Sequence, residues 1–197
     1  MTLSDRFVPL ARTTVTDPRA AAREVIAWQL PRDVLWTALA LVSALNAIII
    51  VVVLLLSPGD MVMPGFFRQP LALFVLLAGT CVVFVHTIYW SGLALGGRGA
   101  LDDVLALIVW LLTLRAVVQV GVVVMALISP ALSLLFSMVA SVWGFWILVN
   151  FIVTALNLDS VWRAFAIIVV GAIGLILGIG ILLSVIGVGA QGVVNNV

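Results

Sequence analysis

Charged residues and cysteines are scarce in this chain, and lysine is absent. The shortages of charge and of cysteine each exclude a class of protein. Only 9% of the 197 residues are charged and 65% are hydrophobic, whereas a soluble domain is roughly half apolar and about a quarter charged. The single cysteine, Cys81, excludes an internal disulfide framework and a cysteine-based metal site. All nine basic residues are arginine, and a formal net charge of +1 gives no basis for binding nucleic acid. Lipid is therefore the expected solvent.

Groups that could catalyse a reaction are also missing. The chain has one histidine, His86, and lacks Gly-x-Ser-x-Gly, HExxH and phosphate-cradling glycine motifs. No Asp or Glu lies inside a long apolar run, so an intramembrane pair of carboxylates is absent as well. The sequence predicts a non-enzymatic protein with no catalytic residues, no cofactor and no metal.

Five apolar runs are each long enough to cross a membrane as a helix. A hydrocarbon core about 30 Å thick needs roughly 20 apolar residues in a helix. Pro, Gly and polar residues separate the runs, which lie at about 34–56, 71–95, 103–128, 131–156 and 162–188. The predicted fold class is all-α: a polytopic bundle of five transmembrane helices over residues 34–188, with a short uncharged tail over 189–197.

A polar segment, residues 1–33, precedes the first run. Residues 1–16 are expected to be irregular, and Asp17 followed by Pro18 is a helix start signal. From Pro18 to about Leu30, apolar residues recur at helical spacing with charged residues between them, which is typical of a helix lying on a membrane surface. We expect a cytoplasmic N-terminal segment that contains one short amphipathic helix.

The arginines predict the orientation of the bundle. Given five spans, Arg68 falls on the side opposite to the N-terminus. The N-terminal side holds seven arginines: Arg6, Arg12, Arg19, Arg23, Arg32, Arg98 and Arg163. Basic residues accumulate in cytoplasmic loops. The N-terminus is therefore predicted to be cytoplasmic and the C-terminus to lie on the opposite side.

Arg115 stands near the middle of the third run, where an arginine costs about 2.5 to 3.5 kcal/mol on insertion scales. It therefore needs polar neighbours. One hypothesis is an intramembrane polar cluster that combines residues of four runs, Asn46, His86, Tyr89, Arg115, Gln119 and Asn150. Such a cluster could be a ligand or ion site, or its side chains could form interhelical hydrogen bonds that fix the packing.

Two further patterns are candidates for contacts. The connection after the second run is a candidate interaction loop that would offer glycines and carboxylates to a partner; it contains Gly96, Gly97, Arg98, Gly99, Asp102 and Asp103. The two carboxylates could equally cap the following helix and interact with its dipole. In the fifth run, Gly174 and Gly178 form a small-xxx-small pair, which favours close helix packing either within the chain or in a homodimer.

The order of these features resembles a known family. Asp17-Pro18-Arg19, then the Gly96–Gly99 loop after the second run, then Ser129-Pro130 between the third and fourth runs is similar to the Yip family of five-span, Ypt/Rab-interacting membrane proteins, in its bacterial branch. The resemblance extends from about Asp17 to Val188 and implies five helices with a cytoplasmic N-terminus. Eukaryotic members act in vesicle trafficking and bind small GTPases and one another. Because the N-terminal region is short here, small-GTPase binding is not expected.

Two functions are consistent with these observations. The first is a scaffold or interaction protein that organises the membrane or a membrane complex, with the lipid bilayer, other membrane proteins or a second copy as partners. The alternative is a small transporter, channel or lipid-moving protein that uses the polar cluster. The compact chain and the bacterial resemblance favour the bacterial inner membrane as the location.

Overall fold

The fold is all-α, as predicted. A computed structural model describes residues 3–56 and 70–194, and these contain seven helices and no strand. The helices are α1 (Leu3–Thr16), α2 (Pro18–Ala27), α3 (Arg32–Leu56), α4 (Pro70–Ala94), α5 (Leu101–Ile128), α6 (Pro130–Ala155) and α7 (Val161–Val194). The connection 57–69, with Arg68, lies outside the described residues.

The five predicted spans are confirmed. Five helices are long and apolar enough to cross a membrane, and they are the stretches 32–53, 70–94, 101–128, 130–155 and 161–181. Pro70 and Pro130 begin α4 and α6, because proline fits the first turn of a helix. α7 continues to Val194, into the range of the predicted tail over 189–197, and contains no proline that would end it earlier.

The expectation of an irregular segment over residues 1–16 is wrong, because α1 covers most of it. Leu10 and Thr14 lie four residues apart on one face and are 2% and 0% exposed. Most helix stability in proteins comes from packing of such a face against the rest of the fold. The polar composition of α1 therefore concealed a helix that is stabilised by its contacts with the bundle.

α1 and α2 form a helical hairpin joined at Asp17. The Asp17 carboxylate accepts a hydrogen bond from the Ala20 amide at 3.0 Å, which caps α2 as the Asp-Pro pattern predicts. Ala21, Ala22 and Val25 are buried where α2 packs on α5 and α6. We call residues 3–27 the hairpin.

The remaining helices pack mainly as the pairs α4–α7, α5–α6, α3–α5 and α3–α4. Gly174 and Gly178 of α7 face α4. A Cβ at Gly174 would lie 2.7 Å from the Thr87 methyl carbon, and one at Gly178 would lie 2.9 Å from a Val83 methyl carbon. Only glycine allows this approach. The structure thus uses these two glycines for packing within one chain.

One end of the bundle collects the hairpin, the starts of α3, α5 and α7, and the ends of α4 and α6. Contacts between these elements define it: Arg32 pairs with Asp102, and the Arg98 amide bonds the Leu156 carbonyl. We call it the arginine end. All seven tryptophans lie on the same half of the bundle: Trp28, Trp36, Trp90, Trp110, Trp143, Trp146 and Trp162.

The lengths of α5 and α6 can be compared with the thickness of a lipid core. At 1.5 Å per residue α5 is about 42 Å long, roughly 12 Å longer than a hydrocarbon core. Measured along the helices, Trp110 lies about 27 Å from Ile128, and Asn150 lies about 30 Å from Pro130. If Ile128 and Pro130 lie at one boundary of the core, the start of α5 and the end of α6 reach or pass the other boundary, and the hairpin packs there.

Candidate functional site

The hairpin is held to α5 by Trp110. This side chain is 7% exposed, and its indole N–H donates a hydrogen bond to Thr14 Oγ1 at 3.0 Å. The Phe7 ring meets it edge-to-face at 5.3 Å between centroids, and the Trp28 ring does so at 6.2 Å. Phe7 of α1 and Trp28, directly after α2, therefore pack on the same indole, so both ends of the hairpin are held by one side chain.

A second set of contacts holds the hairpin to α6. The Trp143 indole N–H donates to the Val15 carbonyl at 3.1 Å, and Arg19 Nε donates to Asn150 Oδ1 at 2.8 Å. The Asn150 amide also donates to the Trp146 carbonyl at 2.9 Å, which orients its oxygen toward Arg19. A hydrogen bond with a charged donor is stronger than a neutral one. Asn150 therefore works as an anchor for the hairpin.

The outer face of the hairpin is polar and mixed in charge. Arg12, Arg23 and Glu24 are exposed, and two valines, Val8 and Val15, are exposed beside them at 64% and 47%. The opposite face packs on the bundle. This combination of exposed charges with apolar side chains is typical of an element that lies along a membrane surface.

The glycine-rich connection between α4 and α5 is packed tightly. The Gly97 amide bonds the Gly92 carbonyl at 2.8 Å, and the Arg98 amide bonds the Leu156 carbonyl at 2.8 Å. A Cβ at Gly99 would overlap the Ala155 carbonyl oxygen. Glycine is required at these positions by close approach of another backbone. The connection is therefore a fitted element against the end of α6.

Both carboxylates after this connection have partners within the chain. Asp102 forms a two-point contact with Arg32, with Nε–Oδ1 at 2.7 Å and Nη2–Oδ2 at 3.2 Å. Asp103 Oδ2 accepts a hydrogen bond from the Ala100 amide at 3.4 Å, the position of a helix cap. The Arg98 side chain is exposed. The Arg98 side chain of this connection therefore points outward, whereas the two carboxylates at the start of α5 are engaged within the chain.

The structure divides the six residues of the hypothetical polar cluster among different surroundings. Asn150 binds Arg19 in the hairpin. His86 bonds the carbonyl of Val82 in its own helix at 2.8 Å and stacks on Trp36 with ring centroids 5.8 Å apart. The Tyr89 ring meets the Trp90 ring edge-to-face. The other three are Asn46 of α3 and Arg115 and Gln119 of α5.

Asn46 and Arg115 line a cavity of about 80 Å³ between α3, α4 and α5, whose wall is otherwise largely apolar and includes Ile50, Leu77 and Leu112. We call it the polar cavity after the polar side chains that reach it. Ser43, Thr80 and Cys81 line it too, and sequence reasoning missed these three. Ser43 is three residues before Asn46, so helical spacing was the available signal. Asn46 is 4% exposed and Arg115 is exposed, so the arginine lies at the mouth of the cavity.

The hairpin contacts were also missed from the sequence. Thr14 and Trp110 had no assigned role, and Arg19 was used only for the orientation and the family resemblance. The available signal was that Phe7, Leu10 and Thr14 recur at the spacing of a helix face. Among the residues that the structure describes, no group of three or more His, Cys, Asp or Glu side chains could hold a metal ion.

Comparison with known proteins gives a family. A family model described as the Yip1 domain matches residues 12–182. No curated protein and no solved structure matches the chain. The matched range runs from α1 into α7 and contains the hairpin anchors, the packed glycine connection and the polar cavity. With most of its length matched and five apolar helices of spanning length, this multi-pass integral membrane protein belongs to the Yip1 family.

Proposed function

We propose that this protein is a non-enzymatic membrane scaffold that shapes or organises one leaflet through its docked hairpin. The observation that carries the proposal is the attachment of the hairpin to α5 and α6 through Thr14, Val15 and Arg19. An amphipathic helix in the interface adds volume among the headgroups of one leaflet. Because five spans hold this hairpin, the added volume stays on one side of the bilayer.

The cytoplasmic leaflet is the proposed side. The arginine end carries the basic residues of the described loops and the tryptophans, and a basic bias is typical of cytoplasmic surfaces. Anionic lipids would add to the attraction through the exposed Arg12 and Arg23. For a bacterial member this is the cytoplasmic face of the inner membrane.

Other membrane proteins or a second copy are the proposed partners at the arginine end. The exposed Arg98 side chain stands on a connection that is fixed by backbone bonds, so a partner would meet a preformed surface. Small-GTPase binding is not part of the proposal, because the buried face of the hairpin is already occupied by α5 and α6.

Sorting of the protein between flat and curved membranes tests the scaffold role. The full chain, fused to a fluorescent protein, is reconstituted in giant vesicles with the arginine end outward, and a narrow membrane tube is pulled from each vesicle. We expect a higher protein density on the tube than on the vesicle. Paired Val8→Gln and Val15→Gln substitutions should reduce this enrichment, because they remove exposed apolar surface without touching the docked face.

Thr16→Gln is the matched control, because Thr16 is exposed, already polar and in the same helix. This variant should sort like the unaltered chain. Equal densities on tube and vesicle for the unaltered chain, or equal enrichment for the double valine variant, would contradict the proposal.

Transport or lipid movement is a second candidate, favoured by the polar cavity at Asn46 and Arg115. Intramembrane charges often mark a pathway. A flux assay in proteoliposomes tests it: lipid or ion movement that is lost in Arg115→Gln supports this candidate, and no movement above that of empty liposomes removes it.

A further inference from the structure

The polar cavity contains buried oxygen atoms that have no partner. In the part of the chain that the structure describes, three buried side-chain polar atoms form no hydrogen bond: Ser43 Oγ, Asn46 Oδ1 and Gln119 Oε1. Ser43 and Asn46 line the cavity, and Gln119 follows Arg115 by one turn of α5. Buried polar atoms are nearly always paired, so two unpaired oxygens from residues that line one cavity point to a bound polar group.

The Thr80 hydroxyl is also unused, in contrast to the other threonines of the described helices. Those threonines each donate to a carbonyl one turn earlier in the same helix, and they are Thr13, Thr14, Thr16, Thr37, Thr87, Thr113 and Thr154. Thr80 lines the cavity and makes no such bond. It can therefore donate to a ligand or accept from one.

Arg115 supplies positive charge at the mouth of the same cavity. The described residues form two ion pairs, Arg32–Asp102 and Arg163–Asp159, and Arg115 takes part in neither. It lies about 20 Å of helix from Ile128, which leaves about 10 Å to the core boundary at the arginine end. Side chains lean toward the N-terminus of their helix, so this guanidinium points toward that boundary.

We propose that this cavity binds the phosphate of a phospholipid from the leaflet at the arginine end, with a headgroup that carries a hydroxyl or ammonium donor. The Arg115 guanidinium donates two parallel hydrogen bonds to the phosphate, a geometry that arginine favours. The headgroup donor reaches Asn46 Oδ1, which accepts it. Phosphatidylglycerol has both parts.

The size of the cavity fits a polar group and excludes acyl chains. A single water molecule needs roughly 10–15 Å³ of such volume, and the cavity offers about 80 Å³. The chains of the lipid would lie outside the cavity. The binding goes beyond the scaffold role and holds whether or not the hairpin bends membranes.

Cys81 is a built-in reporter of occupancy, because it is the single cysteine and it lines the cavity. The full chain is placed in phosphatidylcholine nanodiscs with increasing phosphatidylglycerol, and the rate of maleimide reaction at Cys81 is measured. We expect saturable protection by phosphatidylglycerol. Loss of the charged hydrogen bonds in Arg115→Gln should raise the half-protecting amount about tenfold or more. Asn46→Leu should also weaken protection, because it removes the acceptor.

Arg23→Gln is the matched control, because it removes one exposed charge from the same end of the protein without touching the cavity. It should leave the half-protecting amount unchanged. If it weakens protection as much as Arg115→Gln, the lipid is attracted by general charge and the proposal is overturned. Millimolar inorganic phosphate in place of the lipid should give no protection, and equal protection would make this a site for a free anion.

Thr80→Val provides a second test should Arg115→Gln fail to fold, since valine has nearly the shape of threonine. The number of lipids retained by the protein is counted by native mass spectrometry. Retained phosphatidylglycerol in the unaltered chain and less in Thr80→Val is the expected result. Protection that is unchanged in both Thr80→Val and Asn46→Leu would overturn the site, as would a Cys81 rate that does not respond to the lipid in the unaltered chain.

Discussion

Replacing Trp110 by leucine should release the hairpin from the bundle. The substitution removes the hydrogen bond to Thr14 and the ring contacts with Phe7 and Trp28, while it keeps α5 apolar and helical. A net hydrogen bond contributes about 0.5–1.5 kcal/mol and each aromatic pair about 0.5–1.5 kcal/mol. Together the lost contacts amount to about 1.5–4.5 kcal/mol, which raises the equilibrium constant for undocking about 10- to 2,000-fold.

Limited trypsin digestion in nanodiscs measures this undocking. The chain contains no lysine, so trypsin cleaves only after arginine, and the hairpin contains Arg12, Arg19 and Arg23. A docked helix resists cleavage, and the rate follows the population of the open form when opening is fast. We expect the cleavage rate in the hairpin of Trp110→Leu to rise by at least about tenfold.

Trp162→Leu is the control for this experiment. Trp162 is 80% exposed at the start of α7, and its substitution is the same change of residue type at the same end of the bundle. Its cleavage rate in the hairpin should stay within about twofold of the unaltered protein, as for most surface substitutions. A rate for Trp110→Leu that matches this control would refute the conclusion that Trp110 holds the hairpin.

Four further substitutions test the packing. Asn150→Leu removes the acceptor of Arg19, so cleavage after Arg19 should rise about tenfold, as measured in the same digestion. Gly174→Ala should lower stability by about 1–3 kcal/mol in a thermal unfolding assay, because its Cβ would collide with α4. Gly180→Ala, where a Cβ meets nothing within 4 Å, should be neutral or stabilising in that assay. Gly99→Ala should reduce the yield of folded protein in gel filtration, because its Cβ would overlap a backbone carbonyl; an unchanged yield would mean that the connection is looser than described.

The spans were predictable from the sequence because their signals are local. Run length, Pro130 at a helix start and Asp17 before a proline each act within a few residues of the element that they define. The helix α1 was not predictable in this way. Its stability depends on Trp110, which lies 96 positions after Thr14 in the chain. A polar segment gains a helix only when such a distant surface is present.

The neighbours of Arg115 were not predictable for a different reason. The sequence sets its depth along α5, but α5 is apolar on every side, so no pattern shows which face meets α3. The sequence did identify Asn46 as a neighbour of Arg115, because the two residues lie at similar depths along their helices. Asn150 was assigned to the same cluster, although it bonds Arg19, which is 131 positions away. Depth along a helix is local information, and rotation about its axis is set by packing.

A distance measurement between the hairpin and α6 decides whether the hairpin is docked. In a Cys81→Ser background, cysteines introduced by Val8→Cys and Val142→Cys carry nitroxide labels. Val8 and Val142 are 64% and 71% exposed, so both positions leave room for a label. Val142 is next to Trp143, which bonds the hairpin at Val15. Electron paramagnetic resonance in nanodiscs should give one short, narrow distance distribution that becomes broad in Trp110→Leu. A broad distribution in the chain with Trp110 intact would contradict the docked hairpin and, with it, the one-sided scaffold.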